Sequence, residues 1–380
     1  MASSGHLANA QTILSPGRVN LLGEHVDYND GPVLPVAVDL TLTLEFSPLD
    51  TGQITLHALD LDKTVSFSLE ELDKKIDLDG QPLPHFALYP AGVAWACQQA
   101  GLRVSGMEAS YTSNIPIGSG LSSSAAVEVA FARAYMALGR WDIDPLTLVK
   151  LTQKAENDYV GVNSGIMDQF AVMFGQQNHA LYLDTATLDW EAVPLPADVA
   201  IIVADSLEPR ELAGSDYNDR RSACQQAVSA LQQSLPEITS LRDISPTQYR
   251  QFAKDLPEKI RMRGQHVVEE IARVEESVKL LKAGDVTGFG KLMIEGHESL
   301  RDLYEVSTPE LNALVEIALA QPGCYGARLT GAGFGGCTVN LVRDDQAEAF
   351  IQNVESQYAE RVSKSAKLYH THATQGAHLI

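Results

Sequence analysis

Residues 115–130 read IPIGSGLSSSAAVEVA. They join an alternating run, MEASYTSNIP, to an apolar stripe in which Val127, Phe131, Ala134 and Leu138 are spaced 4, 3 and 4. Alternation predicts a strand and the stripe predicts a helix. Between them stand Gly118, Ser119, Gly120, Leu121, Ser122, Ser123 and Ser124. Small residues let a backbone close round a phosphate, and the free N–H groups at a helix start point at it. A serine hydroxyl there suits Mg²⁺ beside a carboxylate. A plain glycine turn with a serine N-cap would use the same letters. Phosphate binding is the expectation taken forward, to be weighed against what else the chain supplies.

Two other glycine-rich stretches compete. Gly331, Gly333 and Gly336 in LTGAGFGGCTVNLV formally match G-x-G-x-x-G. A dinucleotide fingerprint should follow a strand and open a helix, whereas this run precedes a strand pattern, CTVNLV. A tight loop supporting a ligand or a strand connection is expected instead. GDVTGFGK is not a Walker A motif, because five residues separate Gly284 from Gly290 and Leu292 follows Lys291. It reads as a helix start. A chain that binds nucleotide phosphate and transfers it needs three further parts: a metal carboxylate, a group that handles the acceptor's proton, and recognition of the acceptor.

Carboxylates are on hand. Asp168 lies in GIMDQFAVMFG, where Ile166, Phe170 and Met173 mark an apolar face. A carboxylate there is either on the exposed side of a helix or paired and poised for work. Glu156 lies on the preceding helical stretch, where a solvated position is the plain alternative. Residues 17–31, GRVNLLGEHVDYNDG, add Arg18, Glu24, His25 and Asp27 between leucines, valines and a turn. They read either as a solvated loop or as a site. Arg18 can pair with Asp168, and Glu24, His25 and Asp27 carry the donors and acceptors to grip several hydroxyls, as a polyhydroxylated ligand requires.

Composition sets limits. The chain has 380 residues, 45% hydrophobic and 20% charged, enough for two domains with ordinary cores. With 49 acidic against 28 basic residues its formal charge is −21. That balance opposes a nucleic-acid partner and leaves any anionic ligand to local donors or a metal. The longest apolar runs, such as VLPVAV and ALVEIALA, are too short to span a membrane. MASSGHLANAQTIL has no basic start with a long apolar core, so no secretory signal is expected. Cys97, Cys224, Cys324 and Cys337 form no CxxC pair and read as reduced thiols of a cytoplasmic protein.

Strands are expected over 31–68, a helix over 86–100, another over 145–158 and a third from about Ile166. After HALYLDTATLDW come a buried-strand run, VAIIVADS, and helices at 218–234, 260–283 and 288–304. TPELNALVEIAL has Thr308 as N-cap, Pro309 at the first position and Glu310 in the first turn. A helix at 345–358 and the strand-like SAKLYHTHA close the chain. The pattern predicts an α+β architecture in two domains, 1–180 and 181–380.

Taken together, SPGRVNLLGEHVDYNDG, IPIGSGLSSSAAVEVA and LTGAGFGGC resemble, in order and spacing, the three motifs of the galactokinase branch of the superfamily that also holds homoserine, mevalonate and phosphomevalonate kinases. The similarity extends to QKAENDYVGVNSGIMDQF, SDYNDRR, RGQHVVEEIARV and HESLRDLYEVSTPELNALVEIA, and so to nearly the whole chain. It implies two α+β domains with the active site in the cleft between them, and ATP-dependent phosphorylation of galactose at its anomeric hydroxyl. Asp168 matches the family's catalytic aspartate and Arg18 the arginine that keeps it ionised. Glu24, His25 and Asp27, with Gly165 and Tyr217, match the sugar ligands. Gly118 to Ser124 match the triphosphate loop, and Ser124 and Glu156 the Mg²⁺ ligands. Two departures stand out: Leu207 and Glu208 in DSLEPREL replace an asparagine and a small or basic residue, and Asn312 replaces an aspartate. The first bears on sugar selectivity or loop packing, and the second reads as structural. A kinase for N-acetylgalactosamine, arabinose or a related sugar is the nearest rival. A non-catalytic sugar sensor is disfavoured by the intact GLSSSAAVE loop, and a dehydrogenase rests only on the rejected fingerprint. His370 and His372, two apart on one strand face, have the spacing of metal ligands, but their place in a closing strand suggests a structural role.

Overall fold

The strand Pro35–Pro48 shows how pattern becomes layer. Leu40, Leu42, Leu44 and Phe46 are buried on one face while Thr41, Thr43 and Glu45 stay partly exposed on the other, the two-residue period of a strand with one face on a core. The computed structural model describes residues 10–116, 118–162, 164–208 and 213–380, with the side chains of 213–215 left aside. Most of MASSGHLANAQTIL and the last four residues of DSLEPREL therefore lie outside the described residues.

Pro35–Pro48 sits inside a six-stranded sheet in the order His378–Leu379, Gln11–Asn20, Pro35–Pro48, Met107–Ser113, Gln53–Ala58, Lys63–Ser68. Neighbours are antiparallel except Met107–Ser113 and Gln53–Ala58, which run parallel. Helices Ser123–Gly139 and Met167–Phe174 pack on this sheet, with His85–Gln99 and Pro145–Lys154 behind them. A second, antiparallel sheet runs Cys324–Thr330, Cys337–Arg343, Val199–Asp205, Lys367–Thr371. It is covered by Val286–Asp302, Pro309–Leu319 and Ala347–Val362. A small three-stranded sheet of Pro32–Val33, His179–Asp184 and Trp190–Pro194 completes the strands.

The glycine run at 331–336 links two antiparallel strands of the second sheet, so it is a hairpin loop and opens no helix. Asp285 caps the helix Val286–Asp302 by accepting from the Gly288 N–H, and Thr308 caps Pro309–Leu319, both at the expected helix starts. Two features depart from the local pattern. The helix expected over 145–158 ends as α-helix at Lys154 and continues as a π-helix over Ala155–Val160. The tail also returns to the first sheet: Ile13 and Leu14 pair with Leu379 and His378, and Val38 bridges Ala373. A boundary between residues 180 and 181 would cut the strand His179–Asp184.

Candidate active site

Between Pro16 and Gly17 the pairing partner jumps from Thr41 to Val38, so that Asp39 and Leu40 of the strand Pro35–Pro48 bulge out opposite this point, and bulges bend the pairing beside them. Arg18 follows directly. Its backbone N–H donates to the Leu121 carbonyl at 3.0 Å, and a Cβ on Gly17 would sit 2.8 Å from that same oxygen. Glycine is therefore what lets the strand touch the serine loop. The Arg18 guanidinium donates from Nη1 to the Gly120 carbonyl at 2.5 Å and from Nε to Asp168 Oδ1 at 2.8 Å. Nη2 lies 2.7 Å from the same carboxylate oxygen.

Asp168 is in the first turn of Met167–Phe174, where the helix dipole favours negative charge. Its second oxygen accepts the Ser122 hydroxyl at 2.5 Å. Of the two readings the sequence allows for Asp168, the paired one holds. Ser122 takes a left-handed φ of +58° as N-cap of Ser123–Gly139. A serine held there carries backbone strain, and strain of this kind concentrates at working sites.

Glu24 and His25 are nearly inaccessible, at 2% and 5% exposure, which rules out a solvated loop. Glu24 accepts the Gly331 N–H at 2.6 Å on one oxygen and the Asn20 amide on the other. Burial pushes its pKa up, against the pull of Arg328. His25 sits at φ +63°, with Nδ1 2.8 Å from the Tyr28 hydroxyl and Nε2 3.1 Å from the Ala332 carbonyl. Burial lowers its pKa to about 4, so at neutral pH it is an uncharged imidazole that donates from Nε2 and accepts at Nδ1. Asp27 is pushed up to about 6, first by burial and then by the charge of Asp168. Gly165 stands against it: a Cβ there would lie 2.0 Å from Asp27 Oδ2. Tyr217, on the helix Ala213–Leu231, brings its ring 5.5 Å from that of His25. Burial raises its hydroxyl pKa, which keeps it a neutral donor.

The π-helix buries Glu156, which a regular surface helix would have left in water. Such turns recur at functional sites. Glu156 accepts from the Ser164 hydroxyl and from Gln169 Nε2 at 2.8 Å, and shares the cleft wall with Ser124. Burial raises its pKa, and the nearby Asp168 charge raises it further. Gln169 also donates to the fully buried Glu128 at 2.9 Å. Hydroxyl and carboxylate oxygens set in a surplus of negative charge are the hard donor set that a small divalent cation takes.

One cleft of about 1040 Å³ is lined by Arg18, Glu24, His25, Asp27, Gly118, Ser119, Gly120, Ser122, Ser123, Ser124, Glu156, Gly165, Asp168 and Tyr217. Of the residues that the resemblance matched to catalytic, sugar, phosphate or Mg²⁺ roles, Leu121 does not line it. Its side chain is buried in the core while its carbonyl holds Arg18. The far wall comes from the second half of the chain, through Asp205, Leu207, Glu208, Asn218, Gly331 and Ala332. The cleft therefore lies between the two sheet systems. Leu207 and Glu208, the departure in DSLEPREL, face it. Glu208 also pairs with Lys364 at 2.6 Å. Asn312 accepts the Ser307 hydroxyl at 2.7 Å beside a helix start, a structural position.

Several supporting groups had no signal in the sequence. Glu270, on Glu258–Lys282, accepts the Gly23 N–H at 2.9 Å. It faces the fully buried Arg328 at 3.4 Å, and Arg328 in turn donates to the Leu21 carbonyl at 2.8 Å. This pair holds the turn of residues 21–23 from beneath. The glycines of 331–336 were legible as a ligand loop, but that the Gly331 N–H would face Glu24 was not.

Family comparisons agree with this geometry. The GHMP kinases N terminal domain matches residues 89–176, the GHMP kinases C terminal domain 277–360, and the galactokinase galactose-binding signature 5–48. A galactokinase of Roseiflexus sp. (strain RS-1) is 44% identical over 364 residues, covering 96% of this chain and 91% of that protein. One from Fusobacterium nucleatum is 39% identical over 374 residues, covering 97% and 94%. The crystal structure of Lactococcus lactis galactokinase complexed with galactose superposes with a TM-score of 0.91 at 36% identity, covering 97% of this chain and 95% of that one. Methanococcus jannaschii mevalonate kinase, at 20% identity and a TM-score of 0.68 over 98% of this chain and all of that one, shares the fold. With the serine loop, the Arg18–Asp168 pair and the Glu24–His25–Asp27 wall in one cleft, the chain belongs to the galactokinase family of the GHMP kinases.

Proposed function

We propose that this enzyme transfers the γ-phosphoryl group of ATP to the anomeric hydroxyl of galactose, giving galactose 1-phosphate and ADP. The observation that carries the reading is Asp168. It is ion-paired to Arg18, bonded to Ser122 of the phosphate loop, and shares a cleft with Asp27 and His25.

In this reading Glu24, His25, Asp27, the Gly165 backbone and Tyr217 hold the sugar's hydroxyls. Neutral Tyr217 donates, Asp27 accepts when ionised, and His25, its one N–H bonded to the Ala332 carbonyl, shapes the wall beside them. The backbone of Gly118–Ser124 and the N-terminus of Ser123–Gly139 hold the triphosphate. Asp168 orients the anomeric hydroxyl and accepts its proton as the oxygen bonds to phosphorus and the bond to the ADP oxygen breaks. Arg18 is ion-paired with Asp168 and stabilises the charge that develops. Ser124 and Glu156 would hold Mg²⁺, which when bound neutralises charge on the phosphate oxygens. ATP use and four free cysteines support a cytoplasmic site of action. Among the described residues no helix is long and apolar enough to cross a membrane.

The test is ADP release from galactose, ATP and Mg²⁺, alongside N-acetylgalactosamine and arabinose. Galactose should have the highest kcat/KM. Asp168→Asn should lower kcat roughly 10²- to 10⁴-fold, the usual worth of a positioned proton acceptor, with an unchanged thermal melt. Full turnover in that variant would refute the role of Asp168, and preference for another sugar would refute the substrate.

A further inference from the structure

Two histidines near the chain's end play no part in the cleft. His370 lies in the strand Lys367–Thr371 and His372 just past it, so strand alternation turns both to one face. Their ring centroids are 4.8 Å apart. Both Nε2 atoms converge on one oxygen, Asp344 Oδ1, at 3.1 Å from His370 and 3.5 Å from His372. Asp344 follows the strand Cys337–Arg343, and its N–H bonds the Asp198 carbonyl at 2.8 Å, which anchors the carboxylate's backbone. A second carboxylate stands behind His372, with Asp39 Oδ2 3.7 Å from Nδ1. Asp39 is itself fixed: its Oδ1 accepts the His372 N–H at 3.0 Å, and its own N–H donates to the His372 carbonyl at 3.2 Å.

These separations are metal separations. A tetrahedral dication with nitrogen and oxygen ligands at about 2.0–2.2 Å holds neighbouring ligand atoms about 3.3–3.6 Å apart. Ligand atoms of Asp344, His370 and His372 already lie within 4.8 Å of one another, so small side-chain rotations close the set. Ordinary exposed His–Asp pairing explains one contact, not two imidazoles converging on one carboxylate oxygen with a further carboxylate on the far nitrogen. A carboxylate behind an imidazole is how metal-bound histidines are oriented.

We propose that His370, His372 and Asp344 bind a first-row transition dication such as Zn²⁺, with Asp39 orienting His372. The site takes such an ion in preference to Mg²⁺ because imidazole suits the former and all-oxygen sets the latter. The histidine side chains are 34% and 51% exposed, which leaves a coordination position open to water. Asp39 belongs to the first sheet and His370 to the second. Binding therefore fastens the tail where it crosses between them, and only the folded chain presents the ligands together.

The experiment titrates tag-free, chelator-treated full-length protein with Zn²⁺ in competition with a chromophoric chelator, in excess Mg²⁺. The parent should take up one equivalent that His370→Ala and His372→Ala both lose, while both variants keep parental turnover and melting temperature in Zn²⁺-free buffer containing Mg²⁺. Asp39→Asn should weaken binding about 10- to 100-fold. Zn²⁺ should raise the melting temperature of the parent and of neither histidine variant. Uptake equal in parent and histidine variants, or none in the parent, would overturn the site, and unchanged affinity in Asp39→Asn would overturn the orienting role.

Discussion

Gly165→Ala tests the proposed sugar wall without replacing a titratable group. The added Cβ would lie 2.0 Å from Asp27 Oδ2 and 2.8 Å from its Cγ. Contacts under 3.0 Å force a shift, so the carboxylate retreats by about 1 Å, enough to break a hydrogen bond of ordinary length. A lost hydrogen bond to a charged group is worth about 1.5–3 kcal/mol, which corresponds to roughly 10- to 150-fold in the KM for galactose. Misplacement by 1 Å at a reacting centre can cost on the order of 100-fold in rate, but the role proposed for Asp27 is to hold the sugar, so the effect should fall mainly on KM. The assay is coupled ADP release with galactose and ATP varied separately. The expected result is a raised galactose KM, an ATP KM within about twofold of the parent, by the additivity of distant sites, and an unchanged melting temperature. A galactose KM equal to the parent's would refute the assignment of Asp27 to the sugar. A parallel rise in the ATP KM would mean that the change had spread to the phosphate loop.

Three further outcomes are expected. Ser122→Gly removes the hydroxyl on Asp168 while easing the left-handed backbone; kcat should fall roughly 10- to 100-fold, from about 1.5–3 kcal/mol for a charged hydrogen bond, and an unchanged kcat would show the contact to be idle. Glu270→Ala leaves Arg328 buried beside an uncompensated gap and should cost about 3–5 kcal/mol in urea unfolding; a loss under about 1 kcal/mol, the scale of an exposed pair, would contradict the supporting role. Arg328 and Arg273 hold the Glu270 pKa down to about 2 against its burial, so this contribution is present above pH 4.5 and lost as pH falls through that range. Asp27 runs the other way. Its folded pKa of about 6 lies above the ordinary 3.8, so its term favours the fold most below 3.8 and is lost as pH rises through 6. In the proposed role Asp27 accepts from the sugar only when ionised, so the galactose KM should climb as pH drops below about 6; a flat KM from pH 5 to 7 would contradict it.

Much of this was legible in the letters because local rules reach three or four residues along the chain. Thr308 with Pro309 announces its helix and caps it. The glycines and serines of 118–124 deliver a loop into a helix start, and the Thr–Leu alternation of 41–44 delivers a strand. The types of residue needed for the chemistry were visible too: a base, several acids, a histidine, hydroxyls. What pairs with what was not, because those partners lie far apart in the chain. Arg18 and Asp168 are separated by 150 positions, and Glu24 and the Gly331 N–H by 307. Packing of the two sheet systems decides such contacts, and no periodicity reports them. The π-helix at 155–160 escaped for a related reason. It widens a helix so that Glu156 turns inward onto Gln169 and Ser164, an outcome set by the cleft beneath it and not by propensity. The sequence by itself determined the elements and the inventory of reactive groups, since both follow from local sterics and hydrogen bonding. Only the tertiary structure decided which acid is held ionised, which is raised, and which strand the tail joins, since burial and neighbouring charge exist only once distant segments are brought together.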